Sequence, residues 1–263
     1  MTTLTRRATP AVGQLLREWR ERRRISQLDL SIQAEISARH LSFVETGRSR
    51  PTPGMILRLS EQLDVPLRER NALLLAGGYA PAYPEHSLDE PELTRLRAAL
   101  RQILTGHEPY PALVINRWWD MLDGNTAVAV LIDGCDPALL TPPINALRVS
   151  LHPDGMASRI VNLPEWRAHV LERLHRQVRA THDPRLGDLL TELSGYPGGE
   201  AARPEPTDVA VPLRLQYNGT ELSFFSMTAV VGAPLDITVA EVAIESFYPA
   251  DADTADALQD LGK

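Results

Sequence analysis

The residues of this chain with the clearest chemical bias are arginines near its start. Residues 1–80 carry 13 arginines against 8 aspartates and glutamates, whereas residues 81–263 carry 14 lysines and arginines against 26 acids. A segment of +5 therefore precedes one of −12 within a net charge of −7. A basic segment attracts phosphate and an acidic remainder is repelled by it. Chance clustering on solvated helices is the other reading of the same charges. Catalytic chemistry finds little support. The sequence has no Walker-type phosphate loop, no Gly-x-Gly-x-x-Gly, no His-Glu-x-x-His and no Gly-x-Ser-x-Gly elbow. The seven histidines are scattered, and His169 and His175, six apart on one predicted helix, do not form a metal-ligating pair. The one cysteine, Cys135, has no second thiol to bridge to and reads as a small buried apolar residue. No catalytic residue, metal site or cofactor is expected, and this cysteine usage fits a reducing cytoplasm.

Folded elements must position these groups, and the chain has room for two domains at roughly 100–200 residues each. With 43% hydrophobic residues it can bury cores. No apolar run approaches the roughly 18–20 residues of a membrane span, and the start lacks the apolar stretch of a secretory signal. A cytoplasmic protein with no membrane partner is expected. Apolar spacing predicts five helices over about 11–23, 27–34, 38–45, 53–63 and 66–76. Ser26 and Ser37 are placed as N-caps, Gly47 closes the third helix, Pro53 opens the fourth and Gly77-Gly78 ends the fifth. Residues 79–92 hold three prolines and several acids, the composition of a linker. A helix over about 90–105 follows, with Leu93, Leu96, Leu100 and Leu104 on one face. Beyond it, Ala112–Asn116 and Trp119–Leu122 read as paired strands, Asp123-Gly124 as a turn, and Asn125 as the cap of a helix from Ala127 to Ile132. Helices at about 164–180 and 184–194, a loop Gly195–Pro206, and extended runs Val209–Tyr217, Glu221–Val231 and Asp236–Tyr248 complete the chain, with Asn218-Gly219 as a hairpin turn. The expected fold is an N-terminal all-α five-helix domain over 1–80, a linker and connecting helix over 81–106, and an α+β domain with an antiparallel sheet over 107–263.

A helix-turn-helix needs one helix across the DNA backbone, a tight turn, and a recognition helix whose first residues reach base edges. Residues 26–47 supply these parts. The run Ser26-Gln27 through Ala34, Ser37-Ala38-Arg39-His40-Leu41-Ser42-Phe43-Val44-Glu45 and Gly47 resembles the phage-repressor and Cro type of helix-turn-helix, the xenobiotic-response-element family. The resemblance implies that Ser37, Ala38, Arg39, His40 and Ser42 face the major groove, with Phe43 at its margin. Arg39 would pair with guanine O6 and N7, and Ala38 would touch a thymine methyl. Gln27, Arg48 and Arg50 would hold phosphates and fix register. A surface salt bridge is the alternative role for each arginine. Such modules usually bind double-stranded DNA as two-fold dimers, so a homodimer is expected.

The order of elements after residue 107 resembles a PAS-type sensor, in which an antiparallel sheet and its crossing helices enclose a small-molecule pocket. The whole chain is similar to MmyB-like transcription regulators. The supporting segments are Pro111-Ala112, Arg117-Trp118-Trp119-Asp120-Met121-Leu122 with Asn125, Asn145–Arg148, Trp166 and Asp183–Leu186. Candidate pocket walls are Trp118, Met121, Phe224, Phe225, Met227, Val230 and Ile244, with Arg117 or Arg148 to anchor a carboxylate. Either arginine could equally pair with an acid such as Asp120. These apolar walls favour a lipophilic ligand, a fatty acyl chain or similar amphiphile. The helix at 90–105 would pass the ligand's state onward. In the rival reading the second domain is a ligand-free dimerisation or protein-interaction module with its apolar faces fully packed. A third reading, an enzyme on a DNA-binding head, requires turnover of a metabolite.

Overall fold

A computed structural model describes residues 11–201 and 210–261; Val209 and the far part of the loop up to Pro206 lie outside the described residues. The chain divides into two compact units, one of the described residues up to His86 with Pro234–Ile237, the other of the rest. The boundary falls six residues beyond the expected 80, and the helix read as a connection belongs to the second unit.

The first unit is built from α1 (Val12–Arg22), α2 (Gln27–Gln33), α3 (Ala38–Glu45), α4 (Pro53–Gln62) and α5 (Leu67–Ala76). The caps expected at Ser26 and Ser37 form, and Thr52 adds one that the sequence reading did not name. The Ser26 hydroxyl accepts from Asp29 N, Ser37 from His40 N and Thr52 from Met55 N, each satisfying an N–H that the helix leaves unpaired. Gly47 and Gly78 take positive φ just past α3 and α5, where a side chain would be strained. Leu16, Trp19, Leu30, Leu41, Val44, Ile56 and Leu59 form the core. Helix α1 crosses α3 at Gly13, where a Cβ would lie 2.0 Å from the Val44 carbonyl oxygen. An ion pair is buried beside that crossing. The Arg20 guanidinium donates to both Glu45 carboxylate oxygens at 2.7 and 2.8 Å and to the Ile25 carbonyl at 3.0 Å, and the Gln27 amide donates to Glu45 at 2.7 Å.

The second unit opens with α6 (Thr94–Gly106) and folds around a five-stranded antiparallel sheet of order β2-β1-β5-β4-β3. The strands are β1 (Ala112–Ile115), β2 (Met121–Gly124), β3 (Leu213–Tyr217), β4 (Thr220–Val230) and β5 (Ala243–Pro249). Every residue of β1 is buried, because both sheet faces are covered there. On one face Ala112, Val114 and Ile244 pack against Leu100 and Leu104 of α6. On the other, Leu113, Ile115, Leu213, Phe224 and Phe247 pack against α7 (Val128–Ile132), α8 (Ala146–Leu151), α9 (Leu163–Thr181) and α10 (Pro184–Ser194). Asn218 and Gly219, both at positive φ, join β3 to β4 with Tyr217 paired to Thr220.

Three expectations need correction. The partner of β1 begins at Met121 and takes in Asp123-Gly124, because Asn116–Asp120 form the reversal and Trp119 takes φ 68° there. Asn125 does not cap α7. Its side chain accepts from Ala112 N and donates to the Leu104 and Tyr110 carbonyls, tying α6 to β1. The first half of the run Asp236–Tyr248 is α11 (Ile237–Glu241), and a further helix, α12 (Ala252–Leu261), follows β5.

Removing one member of the Arg20–Glu45 pair strands a buried charge. Glu45→Ala is expected to destabilise the first unit by about 3–5 kcal/mol in urea unfolding, and the double change Arg20→Met with Glu45→Leu to recover most of that loss.

Candidate functional site

In the first unit, α3 and its cap Ser37 carry six of the nine residues the sequence assigns to DNA, while Gln27 lies on α2 and Arg48 and Arg50 follow α3. Leu41 and Val44 turn inward, while Arg39 is exposed with its guanidinium 5.4 Å from the centre of the Phe43 ring. Arg48 approaches the same ring at 6.0 Å, so Phe43 sits between two cations. Ala38, His40, Ser42 and Phe43 are half-buried. Ser37 is exposed, its hydroxyl committed to the helix cap. Gln27 is tied through its amide to Glu45, and Arg50 donates to the Gly77 carbonyl at 2.8 Å while lying 5.2 Å from the Tyr79 ring. The structure thus gathers Arg39, Phe43 and Arg48 into one cluster and gives Gln27 and Arg50 partners of their own.

In the second unit, a cavity of about 80 Å³ lies between the sheet and the helices on its inner face. Leu113 and Ile115 of β1, Met121 of β2, Phe247 of β5, Leu131 of α7, Leu147 of α8 and Trp166 and Val170 of α9 contribute to its apolar wall. Four polar side chains interrupt that wall: Ser150, His169, Arg173 and Glu245. Trp119 closes one side, its indole N–H donating to Gln177 at 2.8 Å and its ring lying under the Arg173 guanidinium at 4.4 Å. Its left-handed backbone costs about 1–2 kcal/mol for a non-glycine residue. The reversal is held by its neighbours: the Trp119 carbonyl accepts from Ala146 N, the Trp118 carbonyl from Asn145 and the Arg117 carbonyl from Gln177. Burial, and then the charge of Arg173, hold His169 below the ordinary imidazole value.

The comparisons with known proteins match each of the two units. Residues 96–261 match the MmyB-like transcription regulator ligand binding domain. The chain belongs to that family. Residues 11–73 match a helix-turn-helix domain. No match is found among curated proteins. No described helix is long and apolar enough to cross a membrane.

Within the MmyB-like ligand-binding domain, the structure places one of the nine residues named from sequence, Met121, in the cavity wall. Phe224 is fully buried in the core beside it, edge-on to Phe247. Phe225 and Met227 point to the opposite face, 40% and 61% exposed, because alternation along β4 sends Leu222, Phe224 and Thr228 to the inner face instead. Val230 stands exposed at the end of β4, and Ile244 packs under α6. Arg117 is buried between Asp183 and Glu241, and the Trp118 indole donates to Asp183. Arg148 makes a two-pronged pair with Glu192, and Asp120 pairs with Arg185. Sequence reasoning missed Trp119, Ser150, Trp166, His169, Arg173 and Glu245 as wall residues. A signal for three of them was present: Trp166, His169 and Arg173 recur at i, i+3 and i+7 along α9, which puts two polar residues on its apolar stripe.

The hydrogen bonds from Arg148 hold the Glu192 carboxyl down at about 2, while burial and the bond to Glu192 push the Tyr196 phenol up to about 12. A carboxylate depressed on folding stabilises above its unfolded value, near about 4.3, and loses that contribution as pH falls toward the folded one. Both side chains are more than a third exposed, so solvent screens the pair. Glu192→Gln is expected to lower the Tm slightly at neutral pH and to converge with the parent protein as pH drops from about 4.3 to about 2, followed by circular dichroism.

Proposed function

We propose that this protein is a sequence-specific, DNA-binding transcription regulator whose second unit, a PAS-like domain, senses a small apolar ligand, a fatty acyl chain or similar amphiphile. The matched families supply the two halves of the reading, a DNA-binding helix-turn-helix and a ligand-binding domain. The observation that carries the ligand half is the cavity: the rival interaction module would fill that space with its own side chains, whereas here a largely apolar wall surrounds about 80 Å³. An apolar cavity of about 150 Å³ holds a benzene ring, so a chain of several carbons enters only as wall side chains shift. Met121 and Met156, unbranched and polarisable, are the wall residues best able to do so.

The protein acts in the cytoplasm on double-stranded DNA as a homodimer, since one recognition helix reads too few bases. Helix α6, packed through Leu100 and Leu104 on β1 and on Val242 and Ile244, carries the ligand's state away from the sheet. A coupling of about 1–3 kcal/mol between ligand and DNA would change occupancy several-fold to a hundredfold. Both matched families are binding domains, and the reading includes no reaction.

Arg39→Ala is expected to cost about 1–3 kcal/mol of DNA affinity and to relax preference at one base pair of each half-site, measured on a panel of operator variants. An equal loss on every sequence would assign Arg39 to phosphate instead. The ligand half is tested by mass spectrometry of organic extracts from the full chain and from Val170→Phe, which fills the cavity. A stoichiometric amphiphile in the first extract only is the expected result. Clean extracts from both, with no ligand-dependent change in melting, would replace the sensor by an interaction module.

A further inference from the structure

The four polar residues of the cavity wall differ in what they have left to offer. Glu245 is 6% exposed, and both its carboxylate oxygens are engaged. Arg173 donates to them at 2.8 and 2.9 Å, and the Thr228 hydroxyl adds a bond at 2.8 Å. The pair cancels its own charge and is closed on itself. Ser150 is different. Its residue is 7% exposed and its hydroxyl oxygen accepts the Trp166 indole N–H at 2.9 Å, yet its own proton meets no acceptor among the described residues. His169, stacked on Trp166 at 5.5 Å, lines the same wall, and its ring nitrogens have no hydrogen-bond partner among the described residues. A buried donor without an acceptor is costly, and an acceptor supplied by a ligand removes that cost.

We propose that the cavity selects an uncharged apolar ligand bearing an acceptor oxygen, of the ester, ketone or lactone class, received by the Ser150 hydroxyl. The inference rests on the cavity being the ligand site. A carboxylate head would enter a low-dielectric space already walled by the Glu245 carboxylate, with Arg173 committed to that partner, and would gain no free cation. An ammonium head would meet Arg173 with Glu245 equally committed. A neutral oxygen meets neither objection and completes the hydrogen bonding of Ser150. His169, whose charged form burial disfavours, stands on the same wall and offers one further N–H donor.

The test uses the full chain with methyl hexanoate, hexanoate and hexane as probes at about pH 8, where a carboxylic acid is ionised. Binding is read by quenching of indole fluorescence, since Trp119 and Trp166 line the cavity, and by ligand-observed NMR. Any apolar cavity disfavours an anion, so the decisive comparisons are between variants. Ser150→Ala is expected to lower the ratio of ester to hexane affinity about fivefold, the worth of one hydrogen bond. Glu245→Gln retains the shape of the side chain and releases the charge of Arg173, and is expected to raise hexanoate relative to ester about tenfold. Hexanoate binding the parent protein as tightly as the ester, or ratios unmoved in both variants, would overturn the inference and leave the sensor standing. Silence of all three probes, hexane included, would overturn both.

Discussion

A sheet that is apolar on both faces has to be covered twice, and the second unit is organised by that requirement. Strand β1 is buried along its whole length, so the chain supplies α6 for one face before the sheet begins and four helices, α7 to α10, for the other. The α6 side closes with Leu100 and Leu104 on Val114 and Ile244. The inner side closes less completely, because two indoles and several branched side chains meet around the Asn116–Asp120 reversal and leave a gap. At about 24 cal/mol per Å³ of residual volume, 80 Å³ forfeits about 2 kcal/mol. That is tolerable within a stability of roughly 5–15 kcal/mol, and a bound ligand recovers it.

The first unit depends on a different interaction. Arg20, Gln27 and Glu45 belong to three helices and meet in one buried network, so the charges that are costly to bury also fix how α1, α2 and α3 are set against one another. Exchange of such a pair for apolar residues is often neutral in stability, so its role here is better read as orientation. Helix α3 is positioned by its last residue, Glu45, which is buried.

Much of this was legible in the sequence, and what was not has identifiable causes. The five N-terminal helices follow from local signals: serine caps, a proline at a helix start, glycines past helix ends, apolar residues at helical spacing. The Asn-Gly hairpin is equally local. Failures came where long-range pairing overrode such signals. Asn125 has the type and place of a cap, but it serves three backbone groups on two other segments instead. The cavity residues were the least legible, since inward and outward positions along β4 depend on register, and Arg173 meets Glu245 across 72 residues of chain. Arg117 and Arg148 looked like anchors because their acidic partners, Asp183, Glu241 and Glu192, are also distant in sequence.

Gly13 carries a consequence for how this chain can change over generations. Inside a helix, glycine is worth roughly 1 kcal/mol less than alanine, so propensity alone would favour its replacement. The Val44 carbonyl, 2.0 Å from where a Cβ would stand, closes that route. Gly54, also helical, has nothing within 4 Å and is open to substitution. Drift in α1 is thereby channelled to its exposed side, Gln14 and Arg17 and Glu21, while the side against α3 is kept by another helix's backbone, which no single side-chain replacement there can move.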